Sequence, residues 1–195
     1  MTISDAPRFA PAPSSLTPSA KMVGNMVDMK KKTPIIAISE TRSMPAATTS
    51  ARSVLATMSI GSEWSTRAFL ESARADGKTI VLPRISSEKP KRLVLYAVGD
   101  MNRDLVAGVW DIPEPNPARC REVDLASVDF ALVPALAVDR DNYRLGYGAG
   151  FFDGLLGSRK VKPYCVTALP RPFIVEKLPH EPHDIPVDLV LGEEP

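Results

Sequence analysis

The hydrophobic pattern divides the chain near residue 50. Before that point Pro7, Pro11, Pro13 and Pro18 fall among Ser, Thr and Ala, a composition that favours extended, unordered chain. Within it only 34–38, Pro-Ile-Ile-Ala-Ile, reads as a strand, and 44–53 is again rich in Ser, Thr and Ala. From Val54 onward short apolar runs recur between turn signals. Val54 to Ile60 predicts a strand and Gly61-Ser62 a turn. Ser65 or Thr66 then caps a helix to about Ala75, which Asp76-Gly77 terminates. Thr79 to Leu82 is a second strand, closed by Pro83. Strand, helix and strand in this order imply a parallel pair with the helix on one face. Further strands are predicted at Leu93–Val98, Val128–Val133, Tyr164–Leu169 and Val187–Leu191, with a short helix at Phe151–Leu156. The expected fold is α/β, a three-layer sandwich around a central, mostly parallel, Rossmann-like sheet. Residues 1–50 are expected to be a divergent, poorly ordered segment and 51–195 the folded domain.

The chemistry concentrates after the strand ending at Val133. There the sequence runs Arg144-Leu145-Gly146-Tyr147-Gly148-Ala149-Gly150-Phe151-Phe152-Asp153. Alternating glycines let successive backbone N–H groups face one concavity, an anion nest, and a helix starting near Gly150 adds partial positive charge. Arg144 can clamp phosphate oxygens, and Asp153 can hold Mg²⁺, which needs few protein carboxylates. These parts suit a nucleotide triphosphate. The alternative is a tight strand-to-helix connection without a ligand. The pattern is neither Walker A nor G-x-G-x-x-G.

Other residues carry paired readings. Glu63 either accepts paired N–H donors from a polar ring edge or is a solvent-facing acid at a helix start. Trp110, in the proline-stiffened run to Pro115, either stacks on an aromatic ligand or packs. Tyr147, Phe151 and Phe152 line a pocket, pack the loop onto the sheet, or do both. Asp184 can ligate a metal or water, whereas His180 and His183 lack zinc-ligand spacing and read as surface or capping residues. In open α/β sheets ligands sit beyond the carboxyl ends of strands. Glu63, Trp110 and the glycine loop each follow a predicted strand, so they are expected to converge there.

Composition narrows the field. A net charge of +1 argues against a strongly basic nucleic-acid binder, and the Lys30-Lys31-Lys32 run reads as a solvated patch. Cys120 and Cys165 fit no metal or redox spacing, which suits reduced thiols in the cytoplasm. No apolar run of about 18 residues predicts a membrane span. The expected protein is cytoplasmic and monomeric, without nucleic-acid or membrane partners.

The segment Val133 to Asp153 resembles the signature of the 5-formyltetrahydrofolate cyclo-ligase (5,10-methenyltetrahydrofolate synthetase) family. In order along the chain, Ser59 to Thr66 is similar to that family's segment ending in Glu-x-x-Thr. Gly77-Lys78 leading to Leu82-Pro83 is similar to its next strand, and Trp110 to Pro115 to its Ile-x-Glu-Pro loop. Leu178 to Asp184 is similar to its Leu-Pro-x-Glu-x-His-Asp. The resemblance spans about Leu55 to Glu193. It implies an α/β domain that uses ATP and Mg²⁺ to convert 5-formyltetrahydrofolate into 5,10-methenyltetrahydrofolate, releasing ADP and phosphate. By motif position Arg144 is catalytic, and Arg144, Leu145, Gly146, Tyr147, Gly148, Ala149, Gly150, Phe151 and Phe152 bind ATP. Met58, Glu63, Trp110, Tyr147 and Phe151 bind the folate, and Asp153 and Asp184 hold Mg²⁺. The family's N-terminal Lys-x-x-x-Arg pair has no counterpart: counting back from Glu63 reaches the Pro-rich region near Ala12, and Lys21 is followed four residues later by Asn25. Phe152 and Gly154 stand where tyrosine and arginine are usual, and Phe173 where many members have glutamine. The alternative reading is therefore a catalytically impaired relative that binds folate or nucleotide.

Overall fold

A computed structural model describes residues 50–59, 65–157 and 163–193. The expectations for residues 1–49, the Gly61-Ser62 turn and Glu63 lie outside these residues, as does the side chain of Trp110.

Seven strands form the main sheet: β1 (Ser53–Leu55), β2 (Thr79–Ile85), β3 (Leu93–Val98), β6 (Arg121–Val123), β7 (Phe130–Leu132), β10 (Tyr164–Pro170) and β12 (Leu189–Glu193). Their spatial order is β12-β10-β7-β1-β2-β3-β6. The four pairings from β12 to β2 are parallel, and β2–β3 and β3–β6 are antiparallel. The expected mostly parallel α/β sheet is thus observed, with an antiparallel margin.

Strand alternation sorts the core into two layers. Val54, Ile80, Leu82, Phe130 and Leu132 face helix α1 (Arg67–Ala75), which inserts Leu70 and Ala73. Leu55, Val81, Leu95, Ala131 and Val133 face the opposite side, where helix α2 (Phe151–Gly157) inserts Leu156. All these side chains are buried. At about 1.5–3 kcal/mol for each fully buried aliphatic or aromatic side chain, the two layers supply the main favourable term.

Two smaller sheets flank this core. Strand β8 (Ala137–Asp139) lies between β9 (Arg144–Leu145) and β11 (Ile174–Val175). A hairpin is formed by β4 (Leu105–Ala107) and β5 (Pro113–Pro115).

Three details differ from the sequence pattern. Strand β1 stops at Leu55 instead of running to Ile60. Ala56 N–H still bonds Val81 O at 3.2 Å, but Thr57 O and Ser59 N–H then bond the Thr66 hydroxyl. Thr66 therefore occupies the N-cap position of α1 without a side-chain cap bond; its hydroxyl is spent on the preceding loop. Third, Pro83 does not close β2, which continues to Ile85. The parallel ladder with β1 ends at the Leu55–Val81 pair, so the edge beside Pro83 needs no donor from it, and proline is tolerated at such an edge. The helix end was as expected: Gly77 follows Asp76 with φ +77°, the left-handed conformation that favours glycine.

Candidate functional site

Strands β1, β2, β7 and β10 are parallel, so their carboxyl ends share one rim. Strand β7 leads through 133–136 into the β8–β9 hairpin and the glycine loop, and β10 leads through β11 into the 176–188 segment. The rim is therefore built from loops far apart in sequence.

Asp139 holds two of them together. It is buried, with 1% of its surface exposed. Its Oδ1 accepts N–H bonds from Asp141 and Tyr143, and its Oδ2 accepts one from Leu178 at 3.0 Å. Asn142 takes a left-handed φ of 66° and its carbonyl accepts from Val187 N–H. The Tyr143 ring stacks on His180 with centroids 3.8 Å apart, and Lys177 pairs with Asp141. That ion pair lowers the Asp141 pKa and raises that of Lys177.

Arg144 extends the same seam. Its Nη1 donates to Ile185 O, and its Nη2 pairs with Asp153 Oδ1 at 3.0 Å. Asp153 Oδ1 also accepts from Ile185 N–H at 3.0 Å. One carboxylate oxygen thus joins β9, α2 and the peptide after Asp184. The Arg144 side chain is 4% exposed and that of Asp153 20%, so the guanidinium is directed into protein. Asp153 Oδ2 has no hydrogen bond among the described residues. Asp184 Oδ2 accepts from Glu181 N–H at 2.7 Å, and its Oδ1 lies 3.8 Å from His183 Nε2. Asp153 and Asp184 therefore reach one seam through Ile185. No group of three or more His, Cys, Asp or Glu that could hold a metal occurs among the described residues. Two carboxylates still suit Mg²⁺, which keeps most of its waters and takes phosphate oxygens as further ligands.

The glycine loop is exposed from Leu145 to Gly150. Gly148 and Gly150 have φ of +87° and +62°, whereas Gly146 does not enter that region. A Cβ at any of the three would meet nothing within 4 Å, so the loop borders open space and only two of its glycines are required by backbone angle. Tyr147 is 55% exposed. Phe151 lines a cavity of about 600 Å³, Phe152 packs on the α2-side core, and Met58 packs on the α1-side core.

The turn that carries Trp110 comes to the rim by a route different from the sequence expectation. It follows β3, but β3 is antiparallel to β2, so the carboxyl end of β3 is at the far rim. The β4–β5 hairpin carries its 3₁₀ turn, Val109–Asp111, and is anchored at the carboxyl end of β2 instead. Arg84 Nη1 donates to Pro115 O at 3.0 Å and lies 3.4 Å from Glu114 Oε2. Neither Asp139 nor Glu114 was singled out from sequence. In the sequence Asp139 stands in a charged turn and Glu114 in the Ile-x-Glu-Pro loop, and neither context indicates the acid's partners.

The sequence is similar to known proteins over most of this framework. A profile of the "5-formyltetrahydrofolate cyclo-ligase family" matches residues 30–193. The chain belongs to the 5-formyltetrahydrofolate cyclo-ligase family. It is 32% identical over 147 residues to 5-formyltetrahydrofolate cyclo-ligase of Mycolicibacterium smegmatis, covering 73% of this chain and 74% of that one. It is 27% identical over 144 residues to the Mus musculus cyclo-ligase, covering 70% and 71%. The NMR structure of Aquifex aeolicus 5,10-methenyltetrahydrofolate synthetase superposes with a TM-score of 0.70 at 27% identity, covering 88% of this chain and 86% of that one. A Mycoplasma pneumoniae 5,10-methenyltetrahydrofolate synthetase shares the fold, with a TM-score of 0.56 at 16% identity. The cyclo-ligase family consists of ligases, and this chain is an enzyme of that class. No helix among the described residues is long and apolar enough to cross a membrane.

Proposed function

We propose that this cyclo-ligase converts 5-formyltetrahydrofolate into 5,10-methenyltetrahydrofolate with ATP and Mg²⁺, as a cytoplasmic monomer. The observation that carries the reading is the Arg144–Asp153–Ile185 junction. It sets an open, doubly left-handed glycine loop beside the segment bearing Asp184.

In the proposed reaction the formyl oxygen attacks the γ-phosphorus of ATP and the bond to the β–γ bridging oxygen breaks, so ADP leaves. N10 then attacks the formyl carbon; the carbon–oxygen bond breaks, phosphate departs and the N10 proton passes to solvent. Such a sequence needs reactants held in line and charge neutralised more than it needs a protein nucleophile. The backbone N–H groups of 146–150 would hold phosphate oxygens, with space for close approach. Tyr147 and Phe151 would flank the folate, with Met58, Glu63 and Trp110 contributing from the neighbouring loops. Asp153 and Asp184 would hold Mg²⁺, which neutralises phosphate charge when bound. Arg144 would keep Asp153 oriented and meet phosphate oxygens where the junction opens.

The test is a Mg-ATP-dependent rise in methenyltetrahydrofolate absorbance from 5-formyltetrahydrofolate. Folded protein without turnover would overturn the reading. The engagement of both terminal nitrogens of Arg144 supports a second reading, ligand binding without turnover, which calorimetric binding of folate in the absence of that rise would establish.

A further inference from the structure

The cavity of about 600 Å³ lies on the α2 face of the sheet, where Gly150 and Phe151 meet the β3–β6 margin. Leu93, Leu95, Val123, Leu125 and Leu155 give it apolar patches within a lining that is polar in its larger part. Its size suits a small molecule that sets an aromatic ring on those patches and meets polar groups around them.

Charge around the cavity is unevenly committed. Arg144 is the one cation between residues 144 and 157, and Asp153 and Ile185 O occupy it. Around the same rim Arg84 faces Glu114, Arg140 faces Glu176 and Lys177 faces Asp141. Lys91 also lines the cavity, and it has no hydrogen-bond or ion-pair partner among the described residues. Lys91 is exposed, and the residue that follows it is tied to the end of β2. Ser86 N–H donates to Arg92 O at 2.8 Å, and Arg92 N–H donates to Ser86 Oγ at 3.0 Å. Leu95 packs in the α2-side core, so strand alternation places Leu93 on the same row, and Lys91, which precedes the strand, lines the cavity two residues before it.

Arg92 lines the cavity too, but alternation places it in the row of Tyr96, which packs on the α1 side. Two acids are also present. Glu122 is paired with Tyr96 across the β3–β6 ladder, so its side chain leaves toward the α1 side. Asp124 already accepts from Ala126 N–H. Of the charged residues that line the cavity, Lys91 has no partner among the described residues and is not turned to the α1 side by strand pairing.

We propose that Lys91 is the cation of an oxyanion subsite at the mouth of this cavity. It takes the anionic end, phosphate or carboxylate, of a ligand whose aromatic body lies on the apolar patches. This deepens the reading of the site as one for a nucleotide and a folate, since each joins an aromatic body to such an end.

The test is calorimetric titration of wild type, Lys91→Gln and Lys91→Arg, with circular dichroism confirming the fold. The probes are Mg-ATP, inorganic tripolyphosphate, 5-formyltetrahydrofolate and a reduced pteroate analogue lacking the glutamate. The expected result is an affinity loss of about tenfold for Lys91→Gln, with Lys91→Arg near wild type, as for loss of one charge-assisted contact. A loss confined to ATP and tripolyphosphate identifies phosphate. A loss confined to the complete folate, sparing the analogue, identifies carboxylate. Unchanged affinity for all four probes, or an equal loss in Lys91→Arg, overturns the subsite. If wild type turns over normally and Lys91→Gln binds every probe as well, only the subsite fails. A wild type that binds neither ATP nor folate instead sinks the proposed function.

Discussion

Arg144 Nη2 lies 3.0 Å from Asp153 Oδ1, so the only cation of the glycine loop and a proposed metal-holding carboxylate are each other's partner. Burial makes the pair sensitive to removal of one side. Asp153→Ala leaves Arg144 with only the Ile185 carbonyl among the described residues, and an uncompensated buried charge costs about 3–5 kcal/mol. Asp153 is a fifth exposed, so the expected loss is about 3 kcal/mol, at the lower end of that range. Arg144→Ala should cost less, because Asp153 retains the Ile185 N–H and reaches water. Urea melts of both single variants and the double variant should therefore be non-additive. Additive losses would show that the pair is uncoupled in solution.

The three alternating glycines should behave differently. Gly148→Ala and Gly150→Ala force a side chain into left-handed backbone, at about 1–2 kcal/mol each. Gly146→Ala should be nearly neutral, because its φ is not left-handed and a Cβ there meets nothing. Thermal melts with ATP titrations check this: the first two variants should lose stability and raise the KM for ATP. An equal effect of Gly146→Ala would mean that a ligand, not the loop, needs the space at that position.

The strands were legible where an apolar run and its partners coincide. Leu93–Val98 matches its predicted span because β2 and β6 pair along it. Val54 to Ile60 was too long a strand because Thr66, a residue beyond the run, captures Thr57 and Ser59. The glycine loop could be read because left-handed backbone leaves a residue-type signature. The seam that orients it could not. Asp139 looks like an ordinary turn acid, and its bond to Leu178 spans 39 residues. The direction of β3 was equally invisible, since a strand run carries no sign of parallel or antiparallel pairing, and that direction decides how the turn that carries Trp110 returns to the rim.

At the opposite rim Asp129 offers a pH test free of the site. Its carboxylate is held below the usual range, chiefly by the Arg52 N–H, with the Ser53 hydroxyl and N–H adding to it and burial opposing. The bonds are 2.8, 3.0 and 3.0 Å to Asp129 Oδ2. A depressed carboxylate pKa stabilises the fold above the unfolded value near 3.9, and the contribution disappears as pH falls through the folded value. Asp129 is exposed, so solvent screens its charge, and Asp129→Asn should lower the Tm at pH 7 by only about 1–2 °C. The gap should close toward pH 3, with kcat/KM unchanged at pH 7. A gap of equal size at both pH values would assign the effect to shape and not charge.

Gly108 and Glu114 give the sharpest steric prediction. A Cβ at Gly108 would stand 2.2 Å from Glu114 Cδ and 2.4 Å from its Cγ. The Glu114 side chain is 6% exposed and faces Arg84, so it cannot swing aside without leaving its ion partner. Gly108→Ala should therefore cost about 1–3 kcal/mol, as overpacking does in a filled interior. The Val109–Asp111 turn should shift as the Arg84 anchor loosens. If that turn meets the folate, as its Ile-x-Glu-Pro segment suggests, the KM for 5-formyltetrahydrofolate should rise more than kcat falls. Glu114→Ala removes the obstructing atoms, so Gly108→Ala should be milder in that background than in wild type. Urea melts of the four proteins check the cycle, and an undiminished cost in the Glu114→Ala background would place the clash elsewhere. The reason to expect the relief is geometric: each of the three nearest atoms that a Cβ would meet belongs to Glu114.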